Sequence, residues 1–285
     1  MSVPGFHRPK SVEDAARLLA ETDGARCLSG GATLVAMMNA SLAEPKAIVS
    51  LAGIPELAGI AELANGGFRI GAMTRHAATA GDARLAGTLA VLRDAARQIA
   101  NPVVRNMGTI GGSIGFADPA ADYPPALVAA NAEVEIANAA GRRRVAARDF
   151  FVDWYTTACG PGEFVTGVYL PPPRPGAGLY KKLARVSGDF AIASVALSAA
   201  KDANGVSIRI AVGGCGPRPI RADAADALLS AKFGDAAAAA AAGEALAAAA
   251  DPVDDVRASA EYRRLVIPRL VAETVAHARA ALEAR

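Results

Sequence analysis

Four of the five residues from Pro171 to Pro175 are proline, and Gly176 follows them. Proline fixes φ and donates no backbone hydrogen bond, so this run can continue neither a helix nor a central strand. It divides a chain of 285 residues, a length at which two or three compact units are expected. The hydrophobic share of 52% is enough to fill their cores, and with aromatics at only 5%, helices and small side chains should dominate the packing.

A formal charge of +2 favours no class of partner, and no basic stripe with interleaved aromatics argues for nucleic acid. Arg142-Arg143-Arg144 reads as the solvated flank of a hairpin. No apolar h-region opens the chain, and no run approaches the roughly 18 apolar residues of a membrane span. A cytoplasmic protein without a transmembrane segment is the expectation. Cys27, Cys159 and Cys215 are far apart in sequence with no CxxC pair. That spacing argues against a disulfide framework, zinc or an iron–sulfur cluster, and each cysteine is read as a small buried apolar residue.

Ahead of the prolines, Ser11 caps a helix expected over 11–21, followed by a short buried strand at 25–29, a helix at 33–42 and a strand at 47–51. That β-α-β order favours parallel pairing. Asn65-Gly66-Gly67 then marks a hairpin between 58–63 and 68–73. A long helix over 84–100 should end at Asn101-Pro102, because proline disfavours helical geometry in the residue before it. A helix at 123–131 and strands at 132–138, 142–147 and 163–170 complete this part. Beyond Gly176, strands are expected at 179–185, 191–200 and 206–213, the last two joined at Asn204-Gly205, and then helices. The alanine-only stretch 236–242 has the best intrinsic helix propensity, whereas Pro268 should kink or break the last helix near Val266.

Two glycine-rich turns carry the chemistry: Leu28-Ser29-Gly30-Gly31-Ala32-Thr33 after the second expected element, and Gly108-Thr109-Ile110-Gly111-Gly112-Ser113 after 103–107. Each is expected to offer exposed amides that a pyrophosphate can approach closely. Either one alone also fits an ordinary tight turn. Neither has the Lys-Ser/Thr ending of a Walker loop, nor GxGxxG opening a helix with an acid about twenty residues on. Two separate loops for one diphosphate instead suggest a dinucleotide held at the junction of two subdomains.

The run NPVVRNMGTIGGSIGFADPAADYPPALVAANAEVEI, from Asn101 to Ile136, resembles the signature of the medium, FAD-binding subunit of the carbon monoxide dehydrogenase and xanthine dehydrogenase family. LSGGATLVAMM, IGAMTRHAA, YKKLARVSGDFAIASVAL, IRIAVGGCGPRPIRA and DDVRASAEYRRLV extend the resemblance over almost the full chain. It implies an α+β architecture: a two-lobed FAD-binding fold of the vanillyl-alcohol-oxidase type plus a C-terminal domain of antiparallel sheet and helices. The implied divisions are 1–55, 56–175 and 176–285. The family's first pyrophosphate loop falls on Ser29, Gly30, Gly31, Ala32 and Thr33, and its second on Thr109, Ile110, Gly111, Gly112 and Ser113. Asp122 closes that motif, Val165 falls where a relative packs an aliphatic side chain on the flavin, and Lys182, rather than Lys181, is the implied flavin-region lysine. Asp122 also fits an N-cap for the helix that follows. Ser113 stands where many relatives have asparagine, and Ala32-Thr33 replaces a bulkier polar pair, so contacts there should be rearranged rather than lost.

The implied role is electron relay within a molybdenum hydroxylase. A large subunit carries the molybdenum cofactor, a small subunit carries two 2Fe–2S clusters, and FAD on this chain delivers electrons to an acceptor, in a dimer of heterotrimers. The alternatives are a self-contained flavoprotein oxidase and a scaffold subunit with a vestigial nucleotide site. His76 is read as an exposed or satisfied histidine, and Trp154 and Tyr155 as interface or core aromatics.

Overall fold

The computed structural model describes residues 4–203 and 205–284. Its first unit is a small parallel sheet. Strand β1 (Gly5–His7) leads to helix α1 (Val12–Glu21), whose start is fixed by the Ser11 hydroxyl accepting from the Asp14 amide. Strand β2 (Ala25–Leu28), helix α2 (Leu34–Asn39) and strand β3 (Ala47–Ser50) follow, and β3 lies between β1 and β2, parallel to both. The expected β-α-β unit is therefore present. β2 is only half-buried, however, because Ala25, Arg26 and Cys27 border a large cavity.

Strands β4 (Ile60–Glu62) and β5 (Phe68–Gly71) form the hairpin signalled by Asn65-Gly66-Gly67. The helix expected over 84–100 is shorter. After helix α3 (His76–Gly81), a 3-10 turn at Gly87–Leu89 precedes helix α4 (Ala90–Gln98). Gly87 has φ +54°, and a Cβ there would lie 2.2 Å from the Arg174 carbonyl, so the proline run itself blocks an earlier start. Helix α5 (Pro102–Met107) has Pro102 in its first turn, where the missing N–H costs nothing. The glycine-rich segment expected as a turn is helix α6 (Ile110–Phe116), with Thr109 Oγ1 accepting from the Gly112 amide at its N-cap. Tertiary packing overrides the poor helix propensity of its three glycines.

Helix α7 (Tyr123–Ala129) is buried along its whole length. Strands β6 (Glu133–Asn138) and β7 (Gly141–Ala146) follow, then the short helix α8 (Ala147–Phe150), the ribbon β8 (Phe151–Asp153) and β9 (Thr156–Thr157), and strand β10 (Phe164–Leu170). The second sheet is antiparallel in the order β4-β5-β10-β6-β7.

Past the prolines, β11 (Gly176–Leu183), β12 (Ala193–Asp202) and β13 (Gly205–Gly213) make an antiparallel meander. Asn204, expected in its second turn, lies outside the described residues. Helices α9 (Asp223–Ala231), α10 (Ala236–Ala248) and α11 (Ala260–Glu283) cover one face. The kink expected at Pro268 does not break α11, because the missing amide is compensated by packing: a Cβ on Gly243 of α10 would lie 2.7 Å from the Pro268 Cα. The largest core crosses the proline boundary, with Tyr180, Ala196 and Ala211 of the meander packing with α4, α7 and the second sheet.

Candidate functional site

The two glycine-rich turns, eighty residues apart in sequence, touch. Ser29 Oγ lies 2.6 Å from Thr109 Oγ1 and donates to Met73 Sδ at 3.0 Å. A Cβ on Gly30 would lie 2.2 Å from the Met107 carbonyl, and one on Gly111 2.5 Å from Ala72 Cβ, so both glycines are required by close backbone approach. Behind this junction opens a cavity of about 1210 Å³, lined by parts of both lobes and by the 188–190 segment of the C-terminal unit.

Of the residues expected at the site, Ser29, Gly30, Gly31, Ala32, Thr33, Thr109, Gly111, Gly112, Ser113, Asp122 and Val165 all line this cavity. Two do not. Ile110 is fully buried in the core and its amide is spent on the Thr74 carbonyl. Lys182 sits behind the wall, its ammonium 2.9 Å from Asp122 Oδ1 and donating to the Gln98 carbonyl at 2.8 Å. Lys181 is further out, paired with Glu273.

The two turns also differ in what they offer. Among the described residues, the amides of Gly30, Gly31, Ala32 and Thr33 have no acceptor within the chain. In the second turn the expectation of exposed amides fails for four residues: Ile110, Gly111, Gly112 and Ser113 donate to Thr74, Ala72, Thr109 Oγ1 and Thr109 respectively. Docking α6 on the β5–α3 segment consumes the first two, and the helix's own first turn and Thr109 cap consume the other two. What the second turn presents is hydroxyl groups and the bare backbone of Gly112 and Gly115.

Asp122 holds the N-cap position of α7, but its side chain makes no cap bond. Tyr180 Oη donates to Asp122 Oδ1 at 2.8 Å, on the same oxygen as Lys182. Burial nonetheless pushes the Asp122 carboxyl above its usual range. His76 is buried, its Nδ1 3.2 Å from Tyr123 Oη, and burial with help from the Arg105 charge lowers its pKa to about 4. It is a satisfied, neutral histidine in the cavity wall. Cys27 and Cys159 also border the cavity, and burial holds the Cys27 thiol up at about 12 and raises that of Cys159. Cys215 alone is fully buried, as expected of all three.

Sequence reasoning missed Leu34, Met37, Ile99, Ala100, Val104 and Phe190, all of which border the cavity. Apolar residues on short helices and loops carry no motif; the Asn101-Pro102 break was the one local hint that the chain turns at Ala100, which has φ 40°. Trp154 and Tyr155 are exposed, and Tyr155 joins the rim against Phe116. Arg142 and Arg143 are exposed but paired, with Glu56 and Glu163, and Arg144 lies over the Tyr169 ring.

Two family models match the chain: an FAD binding domain in molybdopterin dehydrogenase over residues 2–173, and a CO dehydrogenase flavoprotein C-terminal domain over 178–278. The chain is 35% identical over 274 residues to the nicotine 6-hydroxylase medium subunit of Paenarthrobacter nicotinovorans, covering 96% of each. It is 37% identical over 284 residues to the carbon monoxide dehydrogenase medium chain of Afipia carboxidovorans, covering 98% of each. Among solved structures it is similar to a Cu,Mo-CO dehydrogenase chain, with TM-score 0.92 and 35% identity over 98% of this chain and 99% of that one. It is also similar to a chain of quinoline 2-oxidoreductase from Pseudomonas putida 86, with TM-score 0.91 and 28% identity over 99% and 98%.

Proposed function

The chain belongs to the FAD-binding medium subunits of the molybdenum hydroxylases, and from that premise we propose that it relays electrons through FAD held in the cavity between its lobes. The observation that carries this reading is the contact of the two glycine-rich turns at the mouth of one cavity, which gives a dinucleotide two walls from two lobes. The residues present fit the group. The free amides of Gly30 to Thr33 suit a pyrophosphate, the Ser29, Thr109 and Ser113 hydroxyls supply further polar contacts, and Val165, Ile99 and Val104 suit an aromatic ring system. When bound, FAD supplies the redox chemistry.

This chain's residues bind, orient and exclude water. The first turn neutralises the diphosphate with backbone dipoles, since Arg26 is the one cationic residue bordering the cavity among those described. Asp122, fixed by Tyr180 and Lys182, presents a carboxylate to the cavity. Lys182 acts from behind, holding both Asp122 and the Gln98 carbonyl next to Ile99.

Electrons enter from 2Fe–2S clusters of a small partner subunit, themselves fed by a large molybdenum-cofactor subunit, and leave to a terminal acceptor. Support comes from the relatives, which are medium subunits or chains. The assembly is a dimer of such heterotrimers. Domain divisions at 55/56 and 175/176 are supported by the separation of the parallel sheet, the mixed lobe and the meander. A cytoplasmic location is supported by three free thiols. No described helix is long and apolar enough to cross a membrane.

The test is the visible spectrum of the purified chain after incubation with FAD and gel filtration. One oxidised flavin per chain is expected. A chain that stays colourless would refute the reading and favour a scaffold subunit.

A further inference from the structure

Phe190 is 43% exposed and still borders the cavity, on the one loop of the C-terminal unit that reaches it among the described residues. A half-exposed ring on a loop has many places to go unless something holds it. The backbone of the loop is fixed at two points. A Cβ on Gly188 would lie 2.4 Å from the Ala100 carbonyl, and the Ala191 amide donates to the Ala120 carbonyl at 3.3 Å. The ring itself is held by Arg257, whose guanidinium lies over it at 5.1 Å from the centroid. The Arg257 charge also acts on Asp118 and Tyr155, which border the same cavity.

Arg257 is in turn held by Asp255, which accepts from its amide at 2.8 Å and pairs with its Nη1 at 2.9 Å. The other partner of that carboxylate is Arg263, near the start of α11, with Nη2 2.6 Å from Asp255 Oδ1. Arg263 is only 3% exposed. Its Nη1 donates to the Ile192 carbonyl at 2.6 Å and to the Gly214 carbonyl at 2.8 Å. One buried guanidinium therefore holds both the backbone two residues beyond Phe190 and the carboxylate that keeps Arg257 on the ring. Its Nε is buried with no hydrogen-bond partner, a cost that packing alone gives no reason to keep. Arg185 joins the same two segments, pairing with Asp189 at 3.3 Å and donating to the Val256 carbonyl at 3.4 Å.

We propose that Arg257 and Arg263 are positioning residues for the cofactor: acting through Asp255, they hold the Phe190 ring at the edge of the cavity and so slow the escape of the bound dinucleotide. The inference rests on the reading that FAD occupies this cavity. The test measures release of FAD from the loaded full chain, as the flavin left on the protein at intervals after rapid buffer exchange. Arg257→Leu and Phe190→Leu should each release FAD about two- to fivefold faster, the range expected for a lost cation–π contact at an exposed site. The double variant should be no faster than Phe190→Leu, because the arginine acts only through the ring, whereas a general structural role would add to it. Arg263→Met should also speed release. If that variant does not fold, Asp255→Asn, at a part-exposed carboxylate, breaks the same link and should match Arg257→Leu. Arg279→Leu, at an exposed ion pair near the end of α11, should leave release unchanged. Wild-type release in Arg257→Leu and Asp255→Asn, or fully additive rates in the double variant, would overturn the proposal. A wild-type chain that takes up no FAD at all would instead sink the reading on which it rests.

Discussion

His76 shows what burial does to a titratable side chain at this site. Its ordinary pKa of 6.5 falls to about 4 in the folded chain. Between those values the unfolded chain binds a proton that the folded one refuses, so stability drops as pH falls through 6.5 and the loss is complete below about 4. At pH 5 the loss is about 2 kcal/mol. Comparing urea midpoints at pH 7 and pH 5, His76→Gln should lack this part of the acid sensitivity; equal sensitivity in both proteins would contradict the assignment. Lys182 makes the complementary case, since removing one member of a buried pair strands the other. Lys182→Met should cost about 3–5 kcal/mol. Adding Asp122→Asn should recover at least about 1 kcal/mol of that in a double-mutant cycle, and strict additivity would show the pair to be inert. The thiols bordering the cavity are held protonated, which removes them as nucleophiles. Acid precipitation should therefore release all flavin into the supernatant, and flavin left on the denatured chain would show a covalent link.

Helix α10 and helix α11 illustrate how one element permits another. Gly243 lies in an alanine-rich helix where alanine would be favoured by about 1 kcal/mol of intrinsic propensity. Its bare Cα is what lets Pro268 approach, and an added methyl would meet the proline backbone at 2.7 Å. Gly243→Ala should consequently lower the thermal midpoint, and a rise would mean that α11 shifts without cost. Helix α6 follows the same logic at the cavity. A Cβ on Gly112 would lie 3.1 Å from Thr109 Oγ1 and 3.3 Å from Ser29 Cβ. Gly112→Val should reduce flavin occupancy by wedging the two turns apart while leaving the C-terminal unit folded. Full flavin content in that variant would show that the turns need not touch.

For the molecule as a whole, the relay reading requires that the chain be fed with electrons from outside. Loaded with FAD and mixed anaerobically with the complex's substrate, the chain alone should keep its yellow colour, and bleaching should appear only after the partner subunits are added. Bleaching in the first cuvette would promote a self-contained oxidase. The lobes and the meander are not independent in this respect. Tyr180 reaches across to Asp122, Gln98 donates to the Tyr180 carbonyl, and the main core includes residues from both sides of the proline run. The cavity wall is therefore stiffened from the C-terminal unit, although among the described residues only 188–190 of that unit border the cavity itself.

Local sequence was sufficient for whatever depends on neighbours in the chain. The Ser11 cap, the Asn65-Gly66-Gly67 hairpin and the proline run all act over a few residues, through φ preferences and single hydrogen bonds. The motif from Asn101 to Ile136 was legible because it is contiguous in the chain and resembles a known family's signature. Tertiary structure decided the rest. Whether a glycine-rich stretch is a turn or a helix, whether its amides are free, and whether Pro268 breaks α11 depended on partners up to eighty residues away. The same holds for Lys182, whose identity was readable but whose position behind Asp122 follows from the packing of α7's N-terminus on the β11 face that Lys182 shares with Tyr180, opposite the face from which Lys181 reaches Glu273. A sequence specifies which groups a residue carries; the desolvation and close packing that give those groups their pKa, their partners and their exposure arise only when distant segments exclude water together.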